Sequence, residues 1–146
     1  METSAGRAIA VAGSAERTQA PFANTTVGHL AVSSDCAEPG TLTIGLEGEL
    51  DIATAPALEK LLGEVEGDRW PTVVLDLRHL SFIDSSGIRT LLGANDRIGR
   101  LGGCMVLRHA SRPVRRTLAA IGIDRILDLT DPVEDPSTNG PASSPP

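Results

Sequence analysis

A nearly continuous apolar run followed by a helical pattern constrains the fold of this chain more than any other feature. Residues 71–77 have the sequence Pro-Thr-Val-Val-Leu-Asp-Leu, which is typical of a buried strand. Downstream, apolar side chains recur at helical spacing, at Ile88, Leu91, Leu92 and Ile98. This pattern predicts a helix that begins near Ser85 or Ser86. A buried strand that leads directly into a helix is a building unit of α/β sheets.

Strand and helix patterns alternate through the rest of the central region. Leu30–Val32 predicts a weak first strand, and alternating apolar residues at positions 42, 44 and 46 predict a second. The turn signal at residues 38–40 (Glu-Pro-Gly) favours an antiparallel hairpin between them. The remaining predicted elements are a helix capped by Thr54 (apolar face Ala55, Leu58, Leu61, Leu62 and Val65), a strand at Cys104–Leu107, a helix capped by Ser111 (Val114, Leu118 and Ile121 inward) and a strand at Ile126–Leu129. The sequence therefore predicts an α/β fold with a mixed, mostly parallel sheet of four or five strands and helices packed against it.

The chain has room for one domain. Its 146 residues match a single domain of ordinary size. Residues 1–26 are rich in Ala, Ser, Thr and Gly, and residues 132–146 contain five prolines. Neither segment offers enough apolar surface to offset the entropy lost on ordering it. We therefore expect one folded domain over residues 27–131 between two disordered tails.

Charge and composition disfavour several partners and locations. The formal net charge of −6 disfavours a nucleic-acid ligand, and the arginines at 112, 115 and 116 fit a solvated helix face. No stretch approaches the roughly 20 consecutive apolar residues of a membrane span, and the N-terminus lacks the pattern of a secretory signal. Two cysteines are too few for a disulfide framework, and Cys104 lies in an apolar strand pattern that predicts a buried, inert thiol. These features favour a cytoplasmic protein that associates with neither nucleic acid nor membrane.

The sequence contains no motif that supports an enzyme, a metal site or a cofactor. A hydrolase nucleophile elbow requires Gly-x-Ser-x-Gly, but Ile83 and Asp84 precede the serine pair here. The three histidines are scattered singly, and neither cysteine has a partner at zinc-ligand spacing. Nucleotide-binding glycine loops are absent. A phospho-aspartate receiver domain would need an acidic cluster after the first strand and a late lysine, and the only lysine is Lys60.

The stretch Asp84-Ser85-Ser86-Gly87, at the predicted junction of strand and helix, admits two interpretations. A serine in the first turn of a helix lies where backbone N–H groups lack intrahelical partners and the macrodipole is positive. A phosphate on its hydroxyl would be stabilised there. Alternatively, the serine is only an N-cap, worth roughly 1 kcal/mol. The tetrad taken alone leaves both interpretations open.

Three segments in order along the chain resemble the bacterial anti-sigma factor antagonists, a family built on the STAS domain. Residues 82–88 (Phe-Ile-Asp-Ser-Ser-Gly-Ile) are similar to the phosphorylation motif of that family. Residues 46–55 are similar to its strand-to-helix turn, in which a Gly-Glu-Leu-Asp run precedes the first helix. Residues 102–107 are similar to its Gly-Gly entry into the penultimate strand. The resemblance covers roughly residues 30–130 and implies a single STAS-like domain.

The resemblance also implies a protein-binding switch that has no enzymatic activity and needs no cofactor. In this family the anti-sigma factor is also a serine/threonine kinase, and it phosphorylates the serine directly before the motif glycine, here Ser86. The unphosphorylated antagonist binds the anti-sigma factor and so releases the sigma factor. Phosphorylation prevents this binding, and a serine phosphatase restores the active form.

We expect the partner to contact residues around Ser86. The expected contact residues are Asp51, Ile52, Thr54, Asp84, Ser85, Gly87 and Ile88. Gly87 either lets a partner backbone approach the serine or only relaxes the entry into the helix. The isoleucines and Thr54 flank Ser86 only if the two strand-to-helix turns lie side by side, and a core position is the alternative for each.

A different use of the same fold remains as an alternative function. STAS domains also serve as scaffold or signalling modules, including as partners in anion-transport and lipid-transport complexes. The Asp-Ser-Ser-Gly stretch favours the phosphorylation switch, since only that role requires the hydroxyl group.

Overall fold

Three N-terminal strands are followed by alternating helices and strands in the computed structural model, which describes residues 20–68, 70–123 and 128–130. The elements are β1 (Thr25–Val27), β2 (Leu30–Glu38), β3 (Thr41–Leu50), α1 (Ala55–Asp68), β4 (Thr72–Ile83), α2 (Ser85–Arg100), β5 (Cys104–Arg108), α3 (Arg112–Ala120) and β6 (Asp128–Thr130). The long helix α2 follows the buried strand β4, with a single residue between them. Apart from β1, the order of elements over the described residues agrees with the sequence-based prediction.

The strands form one sheet in the order in which they occur in the chain. β1, β2 and β3 pair antiparallel, whereas β3, β4, β5 and β6 pair parallel. The predicted mixed sheet and its N-terminal hairpin are therefore confirmed. The described sheet has six strands, one more than the upper end of the prediction, because Thr25–Val27 pairs with the start of β2.

One hydrophobic cluster joins the sheet to all three helices. Ile44 of β3 and Leu75 of β4 are both fully buried in it. Leu58 and Leu91 contribute from α1 and α2, and Leu118 contributes from α3. Burying one such side chain contributes about 1.5–3 kcal/mol to stability. This cluster holds the helices against the sheet.

Two predicted core residues lie at the surface instead. Cys104 is exposed, because Met105 and Leu107 of β5 are the residues that point into the core and side chains alternate along a strand. Ile121 is 56% exposed, because α3 ends at Ala120 before another inward position is reached.

The predicted caps of α1 and α3 directly precede these helices, but the Ser111 side chain makes no capping hydrogen bond. Thr54 precedes α1 and Ser111 precedes α3. The Ser111 hydroxyl donates to the Leu80 carbonyl of β4 at 2.7 Å, so it ties the helix start to the sheet and makes no side-chain cap. The last strand begins at Asp128, and residues 126 and 127, where the prediction started it, lie outside the described residues.

The folded region starts earlier than residue 27. Thr25 and Thr26, which the sequence assigned to the N-terminal tail, lie in β1. Phe22 packs against the core, and its carbonyl accepts a hydrogen bond from the Ser34 hydroxyl at 2.6 Å. Residues 1–19 and 131–146 lie outside the described residues, so the tails there stay a prediction. Among the described helices, none is long and apolar enough to cross a membrane.

Two salt bridges join α2 to α1. Arg97 of α2 donates to Glu66 at 2.8 Å and to Glu59 at 2.9 Å. The hydrogen bond to Glu66 is the largest of the effects that raise the pKa of Arg97 above its usual value. These salt bridges lie near the C-terminal end of α2. They therefore help to orient the helix whose first turn contains Ser86.

Candidate functional site

The two strand-to-helix turns meet at the carboxyl ends of β3 and β4. Leu50 and Ile83 are paired at the ends of these parallel strands. The Asp84 amide donates to the Leu50 carbonyl at 3.2 Å, and the Ile52 amide donates to Asp84 Oδ2 at 3.2 Å. The turns therefore lie side by side, which was the condition for placing residues 51–54 next to the serine pair.

Asp84 is the N-cap of α2. Its backbone is extended, and its Oδ1 accepts hydrogen bonds from the amides of Ser86 (2.9 Å) and Gly87 (3.1 Å). The other oxygen of this carboxylate accepts a hydrogen bond from the Ile52 amide. The interpretation of the serine as the helix cap is therefore wrong, because an aspartate already occupies the capping position.

The two serine hydroxyls lie in the first turn of α2. Ser85 is exposed and Ser86 is half-buried. Among the hydrogen bonds of the described residues, neither hydroxyl takes part in one. The next hydroxyl in the helix, that of Thr90, belongs to a residue that is only 7% exposed. Among the three hydroxyl-bearing residues of this helix, the serine pair is therefore more exposed than Thr90.

The N-terminal amides of α2 are less available to a phosphate than the sequence suggested. Asp84 already accepts the hydrogen bonds of the Ser86 and Gly87 amides. A phosphate on Ser86 would gain from the helix dipole, but it would also lie beside the Asp84 carboxylate. The expected stabilisation by the helix end is therefore partly offset by repulsion between like charges.

The turn before α1 is held by a compact set of hydrogen bonds. Asp51 Oδ1 accepts from the amides of Ala53 (2.9 Å) and Thr54 (3.1 Å). The Thr54 hydroxyl accepts from the Asp51 amide at 3.0 Å and donates to the Glu49 carbonyl at 2.9 Å. Thr54 is 1% exposed, so its side chain shapes the turn from inside. We assign it to the support of the site and not to its surface.

The two isoleucines of the site have opposite environments. Ile52 is 75% exposed at the tip of its turn, whereas Ile88 is 6% exposed and belongs to the hydrophobic core. Phe82, at the end of β4, adds a second exposed apolar side chain with 46% of its surface accessible. Ile52 therefore remains a candidate for partner contact, and Ile88 is a core residue.

Gly87 is required by packing inside the domain. A Cβ atom at this position would lie 2.7 Å from Leu50 Cγ and 2.9 Å from Ile83 Cγ1. Both neighbours are buried, so neither can move aside freely. The absent side chain thus lets α2 approach the strand ends, and it does not open space for a partner backbone.

We expect Gly87→Ala to lower the free energy of unfolding by about 1–3 kcal/mol, because the added methyl group overpacks the contact with Leu50 and Ile83. Gly99→Ala is the matched control, since a Cβ atom there has nothing within 4 Å. Gly99→Ala should stabilise the domain by about 0.5–1 kcal/mol, because alanine is more favourable than glycine inside a helix. Urea unfolding of both variants measures the difference. Equal stabilities would contradict the packing role of Gly87.

A histidine that the sequence left isolated joins the site. His29 Nε2 lies 2.7 Å from Asp51 Oδ2 and 3.7 Å from Glu49 Oε1. The hydrogen bond to Asp51, with the nearby carboxylate charges, raises the pKa of His29, and the same bond lowers the pKa of Asp51. The two residues are 22 positions apart and meet through the register that pairs Leu30 with Gly48. No local sequence signal could have identified this contact.

The sequence and fold of this chain are similar to those of known proteins. A family model described as the STAS domain matches residues 36–135. The anti-sigma-F factor antagonist RsfB of Mycobacterium tuberculosis is 31% identical over 99 residues, which cover 68% of this chain and 80% of RsfB. An anti-sigma F factor antagonist from Paenibacillus polymyxa is 33% identical over 93 residues, covering 63% of this chain and 80% of the relative.

A solved structure agrees with these relatives. The crystal structure of an anti-sigma factor antagonist from Mycobacterium paratuberculosis superimposes with a TM-score of 0.64 at 28% identity, covering 73% of this chain and 88% of that one. Proteins of this group are regulators and not enzymes. This chain belongs to the STAS domain family, among the anti-sigma factor antagonists.

Proposed function

We propose that this chain binds an anti-sigma factor and that phosphorylation of Ser86 switches the binding off. The observation on which this rests is the Ser86 hydroxyl of a half-buried residue at the junction of the two turns, which makes no hydrogen bond within the described residues. Asp84 performs the capping that would otherwise explain the serine. The hydroxyl is therefore available for modification without loss of a hydrogen bond that holds the fold.

The charge of a phosphate supplies the physical basis of the switch. Phosphorylation adds about −1.5 to −2 charges at neutral pH. At a docked surface this charge would have to be desolvated beside the Asp84 carboxylate, which costs several kcal/mol if no cation of the partner pairs with it. Because about 1.4 kcal/mol changes affinity tenfold, such a cost is enough to turn tight binding into negligible binding.

The exposed residues around Ser86 define the surface that we propose for the partner. Ile52 offers an apolar contact, and Ser85 and Asp84 border the phosphorylation site. Asp51 lies behind this surface, where it holds the turn that presents Ile52. The buried residues Thr54, Gly87 and Ile88 act by positioning these groups.

The proposed partner is an anti-sigma factor with serine/threonine kinase activity, and a serine phosphatase would reverse the modification. The relatives named as anti-sigma factor antagonists support an anti-sigma factor as the partner. The antagonist SpoIIAA has been solved in an unphosphorylated and in a phosphorylated form. The unphosphorylated form superimposes with a TM-score of 0.58 at 25% identity, covering 70% of this chain and 89% of SpoIIAA. The function proposed here operates in the cytoplasm, where sigma factors act.

An affinity pull-down from the native organism tests the proposal. The full-length chain and its Ser86→Asp variant serve as matched baits, and bound proteins are identified by mass spectrometry. We expect an ATP-binding anti-sigma factor to be retained by the unmodified bait and lost from the variant. Retention of a transporter or a lipid-transport component by both baits would contradict the proposal and favour the scaffold function.

A further inference from the structure

Three side chains with metal-binding atoms converge beside the turn that presents Ile52. They are His29, from the turn between β1 and β2, Glu49 near the end of β3, and Asp51 directly after it. Their ligand atoms lie within 4.8 Å of one another. His29 Nε2 is 2.7 Å from Asp51 Oδ2 and 3.7 Å from Glu49 Oε1.

The separations are close to those around a small tetrahedral ion. Bonds of about 2.0–2.2 Å from Zn²⁺ to nitrogen and oxygen place neighbouring ligand atoms roughly 3.3–3.5 Å apart. The two measured contacts of His29 bracket this spacing. The His29 and Glu49 side chains are about half exposed, so small rotations can bring their atoms to the required distances.

The backbone holds this arrangement in place before any ligand binds. The His29 carbonyl accepts a hydrogen bond from the Glu49 amide at 3.1 Å. Gly48 makes this approach possible, because a Cβ atom there would collide with the His29 carbonyl, and its φ of +111° suits glycine. The second oxygen of Asp51 accepts hydrogen bonds from the Ala53 and Thr54 amides, and these bonds orient the carboxylate. Hydrogen bonds of this kind also orient the carboxylates that bind metal ions in other proteins.

The charge and the donor types select the class of ion. An imidazole nitrogen with two carboxylate oxygens suits Zn²⁺ and similar divalent transition metals, whereas Mg²⁺ prefers oxygen ligands and retains its water. Two carboxylates also balance the charge of a divalent cation. We propose that His29, Glu49 and Asp51 form a binding site for a divalent transition-metal ion, with water completing its coordination.

Metal binding at this site would act on the proposed partner surface through Asp51. One oxygen of Asp51 would bind the ion while the other holds the amides of Ala53 and Thr54. The ion would therefore fasten the β1–β2 turn to the turn that presents Ile52. This role is independent of phosphorylation, so its test does not depend on the switch at Ser86.

Isothermal titration of the full-length, metal-free chain with ZnCl₂ tests the site. We expect one ion to bind per chain, and we expect His29→Gln and Glu49→Gln each to weaken binding at least about tenfold by removing one ligand. MgCl₂ at the same concentrations should produce no comparable binding. In the wild type, Zn²⁺ should shift the NMR resonances of the His29 ring and of the Ala53 and Thr54 amides.

Control variants test whether other histidine and cysteine side chains account for any zinc binding. His79→Gln, Cys36→Ser and Cys104→Ser should retain the affinity of the wild type. Thermal unfolding of the metal-free variants checks their folding, and the wild-type NMR titration locates the ion even if one variant is unstable. Absence of zinc binding, or binding that survives His29→Gln and disappears with a cysteine variant, would overturn the proposal.

Discussion

Ser86→Asp should lower the affinity for the anti-sigma factor by at least about a hundredfold and leave the domain folded. The introduced carboxylate would have to be desolvated beside Asp84 when the partner docks, and two adjacent negative charges oppose this. Within the isolated domain the charge lies in the first turn of α2, where the helix dipole favours it by about 0.3–1 kcal/mol. Repulsion from Asp84, the existing cap, offsets part of this gain. Binding should therefore change far more than stability.

Two further variants at the same position separate charge from shape. Ser86→Asn resembles Ser86→Asp in size without its charge, and Ser86→Ala removes a hydroxyl that makes no hydrogen bond within the described residues. We expect Ser86→Ala to bind the partner constitutively and Ser86→Asn to bind much more tightly than Ser86→Asp. Calorimetric titration measures affinity, and circular dichroism melts measure stability. Equal binding by the Asp and Asn variants would exclude charge as the switch, and unfolding of Ser86→Ala would show that the residue is structural.

Ser86→Ala should also abolish phosphate incorporation by the cognate kinase. Ser85→Ala is the matched control and should still be phosphorylated, because it leaves the Ser86 hydroxyl and the Asp84 cap in place. Thr90 is only 7% exposed, so a kinase cannot reach its hydroxyl without local unfolding. Incubation with kinase and ATP followed by peptide mass spectrometry locates the phosphate. Modification of Ser85 or Thr90 with Ser86 unmodified would contradict the assignment.

The order of strands and helices could be predicted from the sequence because hydrophobic periodicity is a local property. Residues 72–77 of the apolar run form the first half of β4, and the residues with helical spacing after it form α2, which begins at Ser85. The position of the serine pair, in the first helical turn after a buried strand, followed from these two patterns alone. Where a pattern was short, the prediction was less accurate: β1 was missed, and Cys104 was placed on the wrong face of β5.

The roles of the individual site residues were decided by the tertiary structure. The sequence alone could not distinguish Ile52 from Ile88, because both lie close to the start of a helix, yet one is exposed and the other is packed in the core. Gly87 is explained only by the approach of Leu50 from another strand. The cap of α2 also required the structure, since Asp84 bonds both its own helix and the amide of Ile52, 32 residues away.

Local sequence patterns are enough to predict which elements form and on which turn the serines lie, because these properties depend on residues within a few positions of one another. The groups that meet at that turn come from distant parts of the chain and are seen only in the folded domain. His29 reaches Asp51 through the register of β2 on β3, and Ile52 reaches Asp84 through the parallel pairing of β3 with β4. Strand register depends on the packing of the whole sheet against its helices, so contacts between distant segments follow from the complete fold.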